Sequence, residues 1–191
     1  MASFDESYKK VRQLEGGYAN DPDDTGGETY KGISRRNFPG WGGWQHIDTI
    51  KAAGKNKASL DELLESQPAL QEMVLAFYKK EFWDVLNLDN FRDQRIATEV
   101  FDTGVNMGTY IAAVFLQKTL NVLNRNQVDY ADLPVTGKVG ALTTEAVNLQ
   151  QRPDEVLKVL NCLQGSRYVE ICLANAKQEK FLRSWLNRIT I

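Results

Sequence analysis

The chain has 191 residues, of which 42% are hydrophobic and 25% charged, with a formal net charge of −2. This length and balance suit one compact domain or two small lobes and argue against disorder. The charge shows no clustered basic stripe of the kind a strong nucleic-acid binder carries, and no run reaches the ~20 apolar residues that a membrane span needs.

Residues 3–15 read as a helix, with Ser3 as N-cap and Glu6 three residues later completing a capping box. Phe4, Tyr8, Val11 and Leu14 recur on one face. Gly16 and Gly17 end it, because glycine reaches the backbone conformations that close a helix. The run from 18 to 33 is rich in turn residues and is compatible with a short β-hairpin. Phe38 to Trp44 reads as a loop with two large aromatics, and 51–58 as an exposed connector. Ser59 is placed to cap a short helix through Leu63 and Leu64. Pro68 suits the first turn of a helix to about Trp83, burying Leu70, Val74, Phe77 and Tyr78. Helical periodicity follows over 92–107, 109–123 and about 140–150, with a Pro134- and Gly137-containing loop before the third. Pro153 opens a last long helical run to Trp185, with Gly165 as a place to bend or interrupt it. The fold class is therefore mainly α. Cys162 and Cys172, ten apart on one helix, stand roughly 15 Å apart, too far for a disulfide.

The chemistry-bearing residues cluster early. Glu15 falls in a last helical turn, Asp24 follows in a Gly-bounded turn, and Thr29 five residues later. Cleavage of a glycosidic bond needs one carboxyl that keeps its proton near neutral pH, and a second group that stabilises the sugar cation, attacks it or activates water. The partial negative charge of a helix C-terminus favours the protonated form of a nearby acid. On spacing alone, a glutamate before two glycines is more often a solvated terminal residue.

The run from Glu15 to Ile33 extends over nineteen residues: Glu-Gly-Gly-Tyr, then Asn-Asp-Pro-Asp-Asp-Thr-Gly-Gly, then Glu-Thr-Tyr-Lys-Gly-Ile. It closely resembles the signature of glycoside hydrolase family 108, N-acetylmuramidases often of phage origin, endolysin-like, and sometimes labelled secretion activators. Phe82-Trp83-Asp84 is similar to the family's Tyr/Phe-Trp-Asp segment. Phe101 to Gly108 is similar to its Phe-Asp-x-x-Val-Asn-x-Gly element, and Leu116-Gln117 fits the helix that follows. Near 133–143, where relatives often read Asp-Gly-x-x-Gly-x-x-Thr, only the Gly137 and Thr143 parts are kept.

The resemblance implies a lysozyme-like helical fold, a muramidase-type catalytic lobe over 1–90 and a helical predicted peptidoglycan-binding lobe over 91–191. It implies hydrolysis of peptidoglycan at the β-1,4 bond between N-acetylmuramic acid and N-acetylglucosamine, with Glu15 as general acid and no cofactor or metal. Asp24 is either the second catalytic carboxylate or a turn former. Thr29 either positions water or bonds hairpin backbone. Peptidoglycan glycan strands are the expected partner. The first residues show no apolar signal segment, so synthesis in the bacterial cytoplasm and action at the periplasm or cell wall call for another export route or for a leader ahead of these residues. The alternative is a murein-binding or secretion-assisting protein of the same fold without cleavage, a reading motivated by the altered loop at 133–143 and the acidic charge balance.

Further residues are read both ways. Tyr18 and Tyr30 line a cleft or pack in the core. Trp41 and Trp44 stack on sugar or anchor their loop. Asp102 and Asn106 share one helix face and serve either a network near the cleft or a helix-to-helix bond, the latter preferred for Asp102. Glu28 reads as a solvated acid. His46, the single histidine, reads as a loop residue with no metal-ligating neighbour in sequence.

Overall fold

The computed structural model describes residues 1–12, 16–20, 27–52 and 57–189, the side chains of 57–59 excepted. It is mainly helical with one small antiparallel sheet, as the periodicity predicts. Helix α1 spans Phe4–Arg12 and buries Phe4, Tyr8 and Val11; Leu14 lies outside the described residues. Ser3 Oγ accepts the Glu6 N–H at 3.4 Å. The other half of the expected capping box is corrected, because Gln94 Oε1 takes the Ser3 N–H at 2.6 Å.

The chain forms two compact units, one of residues 11–79 and one of 1–10 with 80–191. These packing units do not follow the functional lobes expected at 1–90 and 91–191. The first, the hairpin unit, holds strands β1 (Tyr18–Ala19), β2 (Thr29–Tyr30) and β3 (Ile33–Ser34) and helices α2 (Gly43–Ala52), α3 (Lys57–Glu65) and α4 (Pro68–Tyr78). Helix α2 begins inside the expected loop and ends inside the expected connector, so His46 is an exposed helical residue rather than a loop one. Its core face is only Gly43, Trp44 and Ile47, too short a run to show a helical period. Helix α3 starts at Lys57, so Ser59 is inside it and not its cap. Helix α4 buries Leu70, Val74, Phe77 and Tyr78 as predicted. It then widens into a π-helical stretch, Lys79–Asp84, instead of continuing as α-helix to Trp83.

The second, the helical unit, is built on α5 (Gln94–Met107), α6 (Thr109–Leu123), α7 (Ala141–Leu149), α8 (Pro153–Ala174) and α9 (Glu179–Leu186). Asp93 caps α5 by accepting from the N–H groups of Arg95 and Ile96. Gly108, at φ +92, turns the chain from α5 into α6. Gly104 lies against Leu86, and an added Cβ would stand 2.9 Å from Leu86 Cδ1. Phe4, Trp83 and Phe101 meet edge to face, with ring centroids 5.6–5.8 Å apart. Gly165 stays inside α8; the run breaks instead at Asn175, whose side chain accepts from the Lys177 N–H to start a short 3-10 turn before α9. Both cysteines are free thiols.

The loop at 133–140 is held at Leu133 by Asn121, at Val139 by Asn87, and between them by buried Gln117. Gln117 Oε1 accepts the N–H groups of Thr136 and Gly137 at 2.9 and 3.0 Å. Its Nε2 donates to the Lys138 carbonyl at 2.9 Å and reaches Thr143 Oγ1 at 3.3 Å. Gly137 adopts φ +70 with Tyr110 so close that a Cβ would overlap its ring. The retained Gly137 and Thr143 thus belong to a structural clamp.

Helix α5 is buried from Ile96 to Gly104, polar residues included. Ser7 and Thr98 share a hydrogen bond of 2.7 Å. Asp102 pairs with Arg188 at 2.5 Å, both side chains under a tenth exposed, and accepts from Gln164 at 3.3 Å. Tyr168 donates to Asn106 Oδ1 at 3.0 Å. Glu99 differs: its Oε1 is buried with no hydrogen-bond partner among the described residues. Burial first, and then the charge of Asp102, push its carboxyl up to about 7 against the pull of Lys10.

A raised carboxyl pKa means the folded state holds its proton where the unfolded chain, near 4.5, has released it. The resulting stability is complete below that lower value and is lost as pH rises through about 7. Glu99→Gln, which removes ionisation but little volume, should match the parent in acid and exceed it by on the order of 3 kcal/mol above neutrality. Denaturant unfolding across that range measures this, and a difference independent of pH would refute it.

Candidate active site

The hairpin unit is organised around a three-stranded sheet in the order β1-β2-β3. Tyr18 faces Tyr30, Ala19 faces Thr29, Thr29 faces Ser34 and Tyr30 faces Ile33. The β2–β3 connection is the two residues Lys31 and Gly32, at φ +47 and +76. Positive φ at both positions matches the type I′ turn, whose twist suits a tight hairpin. Gly32 adopts this without cost. Lys31 does not, and its environment compensates. Its carbonyl accepts from Tyr78 Oη at 2.6 Å, and its Nζ reaches Gln71 Oε1 and Glu65 Oε2, each at 2.5 Å.

Gly17 has an equally local reason. The Asp61 carboxylate accepts the Tyr18 N–H at 2.6 Å, and a Cβ on Gly17 would stand 2.8 Å from the same oxygen. Only glycine admits that approach without displacement. Beside it lies an open cavity of about 600 Å³, lined by Gly17, Tyr30, Asp61, Glu62, Glu65 and Ser66. Glu65 also pairs with Arg12. Burial raises the Glu65 carboxyl, but the hydrogen bond and charge of Lys31, with the charge of Arg12, outweigh it and hold it below the ordinary carboxylate range. It is therefore an ionised anchor at neutral pH.

A second cluster centres on Glu28, which is corrected from a solvated acid to a held one, its side chain only 12% exposed. Tyr18 Oη donates to its Oε1 at 2.8 Å and Lys51 Nζ at 2.6 Å, while Arg35 Nε lies 3.0 Å from Oε2. Arg35 also reaches Asp48 at 2.7 Å and stacks over the Trp44 ring at 4.5 Å. Burial pushes the Glu28 carboxyl up; the hydrogen bonds from Lys51 and Tyr18 and the charges of Lys51 and Arg35 prevail and lower it. Glu28 is thus the reverse of a proton donor. It fixes β2 to α2.

Of the sequence candidates, Glu15 and Asp24 lie outside the described residues. Tyr18 and Tyr30 are paired across the sheet, both buried, with their hydroxyls bonded to Glu28 and Gln71. Thr29 is half-buried on the opposite face of β2, with Ala19 and Ser34. Trp44 is buried and donates to the Phe38 carbonyl at 2.8 Å. Trp41 packs edge-on against Trp44 and Phe77, at 5.2 and 6.0 Å between centroids. Asn106 belongs to the other unit, where it accepts from Tyr168. The hairpin unit therefore gathers Tyr18, Thr29, Tyr30, Trp41 and Trp44, and leaves Asn106 to the α5–α8 packing. Asp61, Glu65, Gln71, Arg35 and Lys51 escaped the sequence reading. Asp61 and Glu65 had one signal, their four-residue spacing on α3.

Since a lowered carboxyl pKa adds stability that is present above the ordinary value near 4.5 and lost as pH falls through the folded one, Glu28→Gln should cost about 1–2 kcal/mol at neutral pH, the low end for a charged hydrogen-bond acceptor with partly exposed partners. The gap from the parent should close on acidification. Urea unfolding at neutral and acidic pH reads both effects, and a gap that persists in strong acid would count against the ionised anchor.

Comparison with protein families gives two matches, the glycosyl hydrolase 108 model over residues 8–108 and a predicted peptidoglycan domain over 111–190. No curated protein matches the chain. Among solved structures, SagA of Brucella abortus is similar in fold, with a TM-score of 0.62 and 19% identity over 97% of this chain and 88% of that one.

Proposed function

We propose, because this chain belongs to the glycosyl hydrolase 108 family, that it hydrolyses the β-1,4 bond between N-acetylmuramic acid and N-acetylglucosamine in peptidoglycan, with Glu15 as general acid. The observation that carries this reading is the family match over 8–108, which includes the whole Glu15–Ile33 run. The peptidoglycan domain matched over 111–190 supports the same polymer as partner. In this reading 1–90 carries cleavage and 91–191 carries attachment to murein, and the protein acts at the periplasm or cell wall after synthesis in the bacterial cytoplasm.

The geometry adds chemical support. Gly17, two residues along the chain from Glu15, lines the 600 Å³ cavity together with Tyr30. Two of the carboxylates that line it hold partners: Asp61 the Tyr18 backbone, Glu65 the side chains of Lys31 and Arg12. Glu28 is held ionised by its partners. Glu28 and Glu65, both held below the ordinary carboxylate range, are poor proton donors at neutral pH, and the proposed donor is Glu15. Asp24, on the β1–β2 connection, is the proposed second carboxylate, and Thr29 the residue that holds the attacking water. Tyr18, Tyr30, Trp41 and Trp44 are the proposed sugar-binding residues, Trp41 the foremost as the less buried indole. Asn106, whose carbonyl oxygen accepts from Tyr168, is the proposed substrate-binding residue of the helical unit.

A second reading, a murein-binding or secretion-assisting protein without cleavage, is favoured by the separate match of 111–190 to a peptidoglycan domain, since attachment needs no catalytic acid. Clearing of purified murein with mass analysis of the products separates the two. The first reading expects muramidase ends and at least a ~10²-fold rate loss in Glu15→Gln. Asp24→Asn should fall comparably if Asp24 is the second group, whereas Thr29→Ala should fall further than Asp24→Asn if the water-holding role dominates. Saturable murein binding with no released fragments would establish the second reading instead.

A further inference from the structure

The helical unit carries a second cavity, of about 560 Å³, that the proposed hydrolysis does not use. Exposed Val122 and Leu149 give it an apolar wall, Tyr130 and Gln150 a polar floor, and Arg125 and Arg152 its two cations. We propose that it is a subsite for the peptide stems of peptidoglycan, with Arg125 and Arg152 taking stem carboxylates. This rests on peptidoglycan being the partner but not on cleavage.

The site is built rather than incidental. Tyr130 Oη donates to the Leu120 carbonyl at 2.8 Å and accepts from Gln150 Nε2 at 2.5 Å, so the floor is fixed. The loop that presents Arg125 runs through three consecutive non-glycine residues in the left-handed region, Arg125, Asn126 and Gln127, at φ +53, +56 and +66. L-residues pay for that conformation and keep it only where neighbours impose it. Here buried Asn124 does so. Its Oδ1 accepts the Gln127 N–H at 3.0 Å, its carbonyl accepts the Asp129 N–H at 3.3 Å, and its Nδ2 donates to Asp132 at 2.7 Å. Strain of this kind at a cavity rim fits a binding loop.

The charges fit a carboxylate that arrives with a peptide. Arg125 is paired with Asp129 and Arg152 with Glu155, and the two arginine side chains are 70% and 76% exposed. Asp129 already grips Arg125 with two prongs, through Nε and Nη2, and fixes its guanidinium with N–H groups to spare, whereas the single exposed contact of Arg152 with Glu155 holds weakly, so a ligand carboxylate can replace Glu155 in a two-pronged hydrogen bond. A bare glycan has less to engage. Tyr130 is the one aromatic side chain in the lining, and its hydroxyl is already committed on both sides. Every lining residue falls within the peptidoglycan domain matched over 111–190.

The test uses the whole chain and two probes from one amidase digest of murein: free tetrapeptide stems and peptide-stripped glycan strands. Calorimetry should give saturable binding of the stems. Arg125→Ala/Arg152→Ala should weaken it by about tenfold or more at an unchanged unfolding midpoint, which the exposure of both arginines allows. Arg125→Lys/Arg152→Lys should recover part of the loss. Absence of stem binding by the parent, equal binding by the double alanine variant, or a double variant that loses glycan binding instead would overturn the inference. The stem probe contains no glycosidic bond, so stem binding and murein clearing succeed or fail separately.

Discussion

A helix enclosed on all sides must find a partner for every polar group it carries, because a buried unpaired group costs more than a paired one returns. Helix α5 imposes this condition on the helical unit. Thr98 is answered by Ser7 and Gln94, Asp102 by Arg188 and Gln164, and Asn106 by Tyr168. The partners come from α1, α8 and the segment after α9, so polar matching dictates which elements surround α5 as firmly as the edge-to-face contacts of Phe4, Trp83 and Phe101. Glu99 is the one acidic side chain of α5 left with a bare oxygen among the described residues, and its proton is the remedy.

The hairpin unit solves the same problem with charges. Its strands are two residues long, too short to be stable on ladder hydrogen bonds alone. Glu28, gripped by Tyr18, Lys51 and Arg35, ties the sheet to α2. Asp61, Glu65 and Gln71 tie it to α3 and α4 through Tyr18, Lys31 and Tyr30. Asp61 and Glu65 are thereby occupied in holding the walls of the cavity at Gly17.

Much of this was legible in the residues. Helix α6 spans Thr109–Leu123, the limits read from its periodicity, and Pro153 opens α8 as its fixed φ requires. The core face of α4 was equally plain. What escaped depended on distance along the chain. Glu28 looked solvated because its partners stand ten residues or fewer away only in Tyr18 and Arg35, both unremarkable in sequence, while Lys51 lies twenty-three residues on. Asp102 could be read as a structural residue, but nothing local names Arg188, eighty-six residues later, as its partner. Helix α2 was hidden by a short buried face and by Gly43, which reads as loop yet is the residue that lets the Trp41 ring lie over the helix start. The capping box at Ser3 failed for the same reason, since Gln94 outbids Glu6 from ninety-one residues away.

The composition of the two units bears on how the protein emerges from a ribosome. Residues 11–79 are continuous, so the hairpin unit has all its contacts available once that stretch has left the exit tunnel. The helical unit draws on the first ten residues and on everything from Lys80 onward. Phe4 must wait for Trp83 and Phe101, and Asp102 must wait for Arg188. Helix α1 precedes the rings it docks on by some eighty residues or more, and the partner of the central carboxylate follows it by eighty-six. The helical unit therefore closes only once Arg188 has emerged, while the unit that carries the proposed acid is free to take shape before then.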